Sequence, residues 1–315
     1  MVPGDPGRPG PVLTGADRPA GAGRPSSAGP RRAGVVGSPV QHSLSPVLHR
    51  AAYAALGLTG WTYDRAEVAQ GGLGTHVRSL GPEWVGLSVT MPGKEEALDL
   101  ASDASAEARL AGAANTLVRR GTGWYADNTD VAGLATALQL ELDRTGAGPV
   151  RQALVLGGGA TARSAVLALR RLDAREITLL VRDRLRPETT AMLQRLTEAP
   201  GAPLVRTAAL TDGIPLDRGQ AQVVVGTLPG GAPAPALLVP EGQPPAPVVL
   251  DVAYAPWPSA LALAVTEATG GRVAVVRGTG MLLHQAVGQV ELMTGLTAPV
   301  GTMASALEEH LGERR

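Results

Sequence analysis

Short apolar runs alternate with longer stretches in which hydrophobic residues return at helical spacing, and the two periods predict strands followed by helices along most of the chain. In the first half, strands are predicted at 32–37, 61–66 and 84–90. A helix opens at Ser45-Pro46, with Ser45 as N-cap, and closes near Gly57; a second lies within 70–80. Runs at 113–119 and 124–126, separated by Gly121-Thr122-Gly123, read as a hairpin. A helical stripe covers 131–142, and Thr145 to Pro149 reads as a linker. Beyond it come an apolar strand ending at Leu156, a helix to Leu172, a strand at 177–181, a helix at 188–198, and strands at 223–225 and 248–252. A long helix at 279–293 and a stripe through Met303, Leu307 and Leu311 are expected to pack back onto the first half. The expected class is α/β, with two domains of which the second is a doubly wound parallel sheet. Residues 1–31 have too little to bury and read as a disordered tail. The expected domains are 32–134 with 280–312, and 135–279.

Composition narrows the partners. The 315 residues suffice for two cores, and with 44% hydrophobic but only 3% aromatic residues those cores must be built from Val, Leu and Ala. The 28 basic and 28 acidic residues cancel, so no global field draws the chain to nucleic acid or an anionic membrane. No apolar run is long enough to span a bilayer. Small molecules are the expected partners, with the chain a monomer or homodimer. The absence of cysteine excludes disulfides, thiolate metal sites and a cysteine nucleophile, and fits a cytoplasmic location. Five histidines without a paired spacing suggest no metal site.

Candidate chemistry begins where the strand ending at Leu156 meets Gly157-Gly158-Gly159-Ala160. The spacing Gly157-x-Gly159-x-x-Ala162 permits a tight turn, a close approach of pyrophosphate to backbone, and a helix packed against the sheet. It reads as a dinucleotide turn or as a plain strand-to-helix connection.

Four polar clusters interrupt the first half. In Gly37 to Pro46, the hydroxyls of Ser43 and Ser45 at a helix start could hold a carboxylate, or Ser45 could only cap the helix, and His42 reads as structural. In Gly86 to Glu95, Thr90 and Lys94 follow a buried strand, where Lys94 is either a cleft residue or an ordinary surface charge. In Gly112 to Thr116, Asn115 could bond a ligand hydroxyl or cap a turn. Asp127-Asn128-Thr129-Asp130 precedes a helix and could be a capping cluster.

Taken in order, these clusters resemble the shikimate dehydrogenase family, whose motifs read G-S-P-x-x-H-S-L-S-P, x-x-V-T-x-P-x-K, G-A-x-N-T and D-N-T-D. Asp251 to Trp257 and Gly278 to Ala286 resemble two later motifs of that family, and the likeness runs from residue 34 to about 312. The resemblance implies a substrate domain joined to a Rossmann-type domain, and NADPH-dependent, reversible reduction of 3-dehydroshikimate to shikimate in aromatic amino acid biosynthesis. It places Ser43, Ser45 and Tyr254 at the substrate carboxylate, and Thr90, Lys94, Asn115, Asp130 and Gln285 at the ring hydroxyls and reacting oxygen. Lys94 and Asp130 would be the catalytic pair. Hydride arriving at a ketone leaves an alkoxide that needs a proton and a nearby cation, and a lysine supplies both. Cofactor contacts are implied at Gly157, Gly158, Gly159, Ala160, Arg182, Arg184, Gly278 and Met281.

Arg182-Asp183-Arg184 offers an arginine for the 2′-phosphate of NADP and an acid for the ribose of NAD. The alignment of Arg182 with an arginine of the family motif N-R-T favours NADP over NAD. The chain departs from the family at Arg50 and Ser88, where asparagines are usual, and at Val225 to Leu228, where N-A-T-S is frequent. Two alternatives remain: an NAD-dependent quinate/shikimate or aminoshikimate-type dehydrogenase, and a catalytically silent dinucleotide sensor. Retention of both Lys94 and Asp130 argues against the sensor.

Overall fold

The computed structural model describes residues 30–241 and 247–312, so the expected tail lies outside the described residues apart from Pro30 and Arg31, and Arg31 already belongs to the first strand. The first half contains β1 (Arg31–Gly37), α1 (Ser45–Ala55), β2 (Trp61–Glu67), α2 (Leu73–Arg78), β3 (Trp84–Val89), α3 (Lys94–Leu100), β4 (Asp103–Ala104), α4 (Ala106–Ala111), β5 (Thr116–Arg120) and β6 (Gly123–Asp127). The long α5 (Thr129–Thr145) leads into β7 (Gln152–Leu156), α6 (Ala160–Arg171), β8 (Glu176–Val181), α7 (Pro187–Thr197) and β9 (Leu204–Ala209). Then come β10 (Ile214–Pro215), β11 (Val223–Gly226), β12 (Leu237–Leu238), β13 (Val248–Asp251), α8 (Ala260–Thr269) and β14 (Val275–Arg277), and finally α9 (Thr279–Thr294) and α10 (Val300–Leu311).

The first sheet has the order β2-β1-β3-β5-β6-β4. Its β1 pairs in parallel with β2 and β3, whereas β5 runs antiparallel to both β3 and β6. Arg120 pairs with Gly123, so the hairpin turn is Gly121-Thr122 alone and Gly123 is already strand. The second sheet, β14-β13-β11-β7-β8-β9, is parallel throughout. The chain moves outward from β7 to β9 and then returns to the other side of β7 for β11. The carboxyl ends of β7 and β11 therefore flank the topological switch point, where open α/β sheets leave a crevice.

Strands covered on both faces should be apolar, and β11 is, as is β13 up to Asp251 at its carboxyl end. On one face of this sheet Val155, Ile177, Val223 and Leu250 pack with α6 and with Leu134 and Leu138 of α5. On the other, Leu154, Leu156, Val224 and Val249 pack with Leu261 and Val265 of α8. The last two helices return to the first half: Leu48 and Ala52 of α1 share a core with Ala286, Val290, Met303 and Leu307. Helix α5 packs along α9, and Gly133 makes this possible, because a Cβ there would lie 2.6 Å from the Gln285 backbone nitrogen. Among the described residues no helix is long and apolar enough to cross a membrane.

Candidate active site

Lys94 is the first residue of α3, directly after the turn that follows β3, and Asp130 lies in the first turn of α5. Their side chains are 12% and 6% exposed, and Lys94 Nζ donates to Asp130 Oδ2 at 2.5 Å. Neither the surface-charge reading of Lys94 nor the capping reading of the Asp127–Asp130 cluster survives: the N-cap of α5 is Asn128, which makes no side-chain cap bond. Asn128 Nδ2 instead donates to the Ala113 carbonyl at 3.0 Å, tying the two clusters together. Asn115, buried just before β5, donates through Nδ2 to Asp130 Oδ1 at 2.8 Å and Thr129 Oγ1 at 2.9 Å, with Gln285 Oε1 at 3.3 Å. Lys94, Asn115, Asp130 and Gln285 thus form one group, drawn from three helices and the turn before β5. Thr90 follows β3 with its methyl against Gly37, partly exposed.

A second group forms at the start of α1. Ser45 is not its N-cap: that position is Leu44, and Ser45 and Pro46 are the first helical residues. Ser43 Oγ accepts the Ser45 N–H at 3.3 Å and stands 3.2 Å from Ser45 Oγ. His42 is exposed in the preceding turn. Tyr254, just after β13, crosses from the second sheet to meet these serines. Burial pushes its phenol above the usual range, opposed by hydrogen bonds with the Leu44 backbone and the Ser43 side chain and by the charge of Arg65. Arg65 on β2 donates to the Ser43 carbonyl from Nη2 at 2.7 Å and Nε at 3.2 Å, which sets a cation beside the serine–tyrosine corner.

A buried polar line joins the two groups. Tyr63 donates to Ser88 Oγ at 2.5 Å, Ser88 donates to Gln289 Oε1 at 2.6 Å, and Gln289 Nε2 donates to the Asn115 carbonyl at 3.2 Å and Thr116 Oγ1 at 3.1 Å. His49 stacks on Tyr63 at 4.0 Å and its Nε2 meets Gln289 Oε1 at 3.3 Å. Burial holds this imidazole down to about 3, so it is neutral and donates from Nε2. Ser88, where the family usually has asparagine, is thus a member of this line. Arg50 is used differently, donating to the Tyr63 carbonyl at 2.8 Å from the surface.

The glycine turn lies at the switch point. Gly157 has φ +117° and a Cβ there would meet Thr227 Oγ1 at 2.7 Å, so only glycine makes this turn. A Cβ on Gly159 would meet nothing within 4 Å: the backbone faces open space at the start of α6, whose N-cap makes no side-chain bond. Orphan amides and the positive end of α6, with Ala160 as its first residue, therefore face open space, the setting in which a helix start holds a phosphate. Ala162 is fully buried against the sheet. Val181 and Leu185 flank Gly158, which brings the exposed Arg182 and Arg184 beside the turn. Gly278 donates to the Ala253 carbonyl at 3.2 Å, and Met281, one turn into α9, is 7% exposed in the adjoining core. The turn and the lysine pair are on the same side: the first turns of α6 reach Asn128 through Ser164 and Glu95 through Arg163.

The motifs therefore locate nearly every residue of the polar groups, but Arg65, Tyr63, His49 and Gln289 carry no motif that singles them out for this site. Gln289 alone had a readable signal, a second glutamine one helical turn after Gln285.

Residues 35–117 match the family model described as shikimate dehydrogenase substrate binding domain, and 278–308 that described as shikimate 5'-dehydrogenase C-terminal domain. A shikimate dehydrogenase (NADP(+)) from Synechocystis is 33% identical over 291 residues, covering 88% of this chain and 95% of its own. The crystal structure of Mycobacterium tuberculosis shikimate dehydrogenase superposes with a TM-score of 0.71 at 42% identity, covering 89% of this chain and all of that one. A Thermus thermophilus shikimate 5-dehydrogenase in complex with NADP(H) and shikimate gives 0.71 at 26% identity, covering 89% and 99%.

Proposed function

The chain belongs to the shikimate dehydrogenase family, and from that premise we propose that it reduces 3-dehydroshikimate to shikimate, reversibly, within aromatic amino acid biosynthesis. It is an NADP-dependent oxidoreductase acting on a CH–OH group. The observation that carries the proposed chemistry is the Lys94–Asp130 pair, buried to 12% and 6% exposure and roofed by Asn115 and Gln285.

The residues fit the cofactor. The Gly157 turn, the open space over Gly159 and the arginines at 182 and 184 suit a pyrophosphate and a 2′-phosphate. NADPH, when bound, supplies the hydride. Lys94 gives the proton: an ammonium has three N–H donors, Asp130 takes one, and the others are available to the carbonyl oxygen that becomes the hydroxyl. Its charge stabilises that oxygen while negative charge develops. Asp130 orients Lys94 through Oδ2, and Asn115 fixes Asp130 through Oδ1. Asn115, Gln285 and Thr90 offer bonds to ring hydroxyls, and Ser43, Ser45 and Tyr254 to the carboxylate, with Arg65 supplying the opposite charge nearby.

In the proposed division of labour, residues 32–134 with 280–312 hold the substrate and 135–279 the cofactor, except that Tyr254 crosses to the substrate side. A cytoplasmic location belongs to the same proposal. Purified protein tested with shikimate or quinate, crossed with NADP or NAD, should form reduced cofactor fastest with shikimate and NADP. A clear preference for NAD or for quinate overturns the corresponding part of the proposal.

A further inference from the structure

We infer that Arg163 is a positioning residue that couples the dinucleotide turn to Lys94, an inference that rests on the function proposed above. Arg163 stands in the first turn of α6 and is the largest of the fully buried side chains among the described residues. Its Nε donates to the Ala111 carbonyl at 2.7 Å, and its Nη2 to Glu95 Oε1 at 2.6 Å and the Gly112 carbonyl at 3.4 Å. Its Nη1 donates to Thr189 Oγ1 at 3.4 Å, and Thr189 donates in turn to the Gly158 carbonyl at 2.7 Å.

One planar group therefore touches two segments directly and reaches a third through the Thr189 hydroxyl. Glu95 is the residue after Lys94 in α3. Ala111 and Gly112 lead into Asn115. Gly158 is the middle of the glycine turn. Stability alone does not call for such a residue: its carboxylate partner is 35% exposed, the cation sits near the positive end of α6, and apolar side chains often replace buried ion pairs without loss. The fork of a guanidinium fixes angles as well as distances, which a lysine cannot do. Holding α3 and the approach to Asn115 in one fork, and tying that fork to the glycine turn through Thr189, sets where the Lys94 ammonium stands relative to the cofactor. An error of about 1 Å there is enough for a hundredfold loss of rate.

The test uses Arg163→Lys and the milder Glu95→Gln, whose side chain is partly exposed and whose loss leaves the fold's apolar contacts intact. Both variants, with thermal midpoints near wild type, should lose about tenfold or more in kcat. Their KM for shikimate and their NADPH dissociation constant, read by fluorescence titration, should move less than about threefold. The double variant should lose less than the product of the single losses, because both act through one contact. In parallel, NADPH alone should slow amide hydrogen exchange at 94–98 and 113–116 in the wild type and not in Arg163→Lys. Folded variants with wild-type kcat, or with losses confined to NADPH binding, overturn the inference. If the wild type is inactive with shikimate and NADP, the proposed function fails, and the exchange experiment decides the coupling on its own: equal protection in both proteins overturns it.

Discussion

The two sheets of this protein build their halves of the site from different materials. Around the parallel sheet, the proposed cofactor cradle is mostly backbone: glycines that no other residue replaces, orphan amides and a helix end, set on strands whose interior is Val and Leu. Around the mixed sheet, the proposed substrate cradle is side chain, and behind it runs a polar line through Tyr63, Ser88, Gln289, His49 and Asn115, every member 4% exposed or less. A backbone site tolerates changes in the side chains around it. A buried polar network is favourable only when each member keeps its partners, because a single missing partner leaves a desolvated group unpaired.

The sharpest break comes at Lys94. Lys94→Ala should lower kcat by about 10²–10⁴-fold, the range for losing a general acid, with a smaller change in the KM for shikimate. Near-normal turnover with only a weaker KM refutes the donor role. Gln289→Leu should cost about 3 kcal/mol in urea unfolding, since Ser88, Thr116 and the Asn115 carbonyl lose their shared partner. Leu154→Met in the apolar sheet should cost less than about 1.5 kcal/mol by the same measurement. If the two costs are equal, the contrast between the sheets is not energetic. Gly157→Ala should weaken NADP through strain of order 1–3 kcal/mol at a positive φ and a clash with Thr227, and leave shikimate binding nearly unchanged.

The smallest effect is a pH slope. Burial keeps His49 neutral to about 3, whereas the unfolded chain protonates near 6.5, so native stability from this residue is complete above about pH 6.5 and falls as acid favours the unfolded state. Between about pH 7.5 and 5.5 the loss should approach about 1.4 kcal/mol, and His49→Gln should remove that part of the slope. An unchanged slope in the variant would mean that His49 is not the group responsible.

Most long elements were legible from their periods, and the glycine turn from its spacing. The elements left unassigned had weaker periods. Strand β9 is an edge strand with a largely exposed pattern, and β14 is three residues long. Helices α4 and α8 did have signals: Ser105 and Ser259 cap them, accepting from Ala108 N at 3.0 Å and Ala262 N at 3.1 Å, and Gly112 and Gly270 end them in the left-handed conformation. Ser45 showed the opposite error. A serine before proline looked like an N-cap, but Leu44 takes that position and Ser43 supplies the oxygen.

By itself the sequence determined the alternation of strands and helices, the glycine turn, and which short polar clusters are candidates for chemistry, because all of these depend on neighbours a few positions apart. Only the tertiary structure decided that Asn115 bonds Asp130, that Tyr254 reaches Ser43 from the other sheet, that Gln289 joins Ser88 across 201 positions, and that Arg163 grips Glu95. The physical reason is that a buried donor must find an acceptor wherever the packed backbone places one, and local periodicity carries no information about which distant residue that will be.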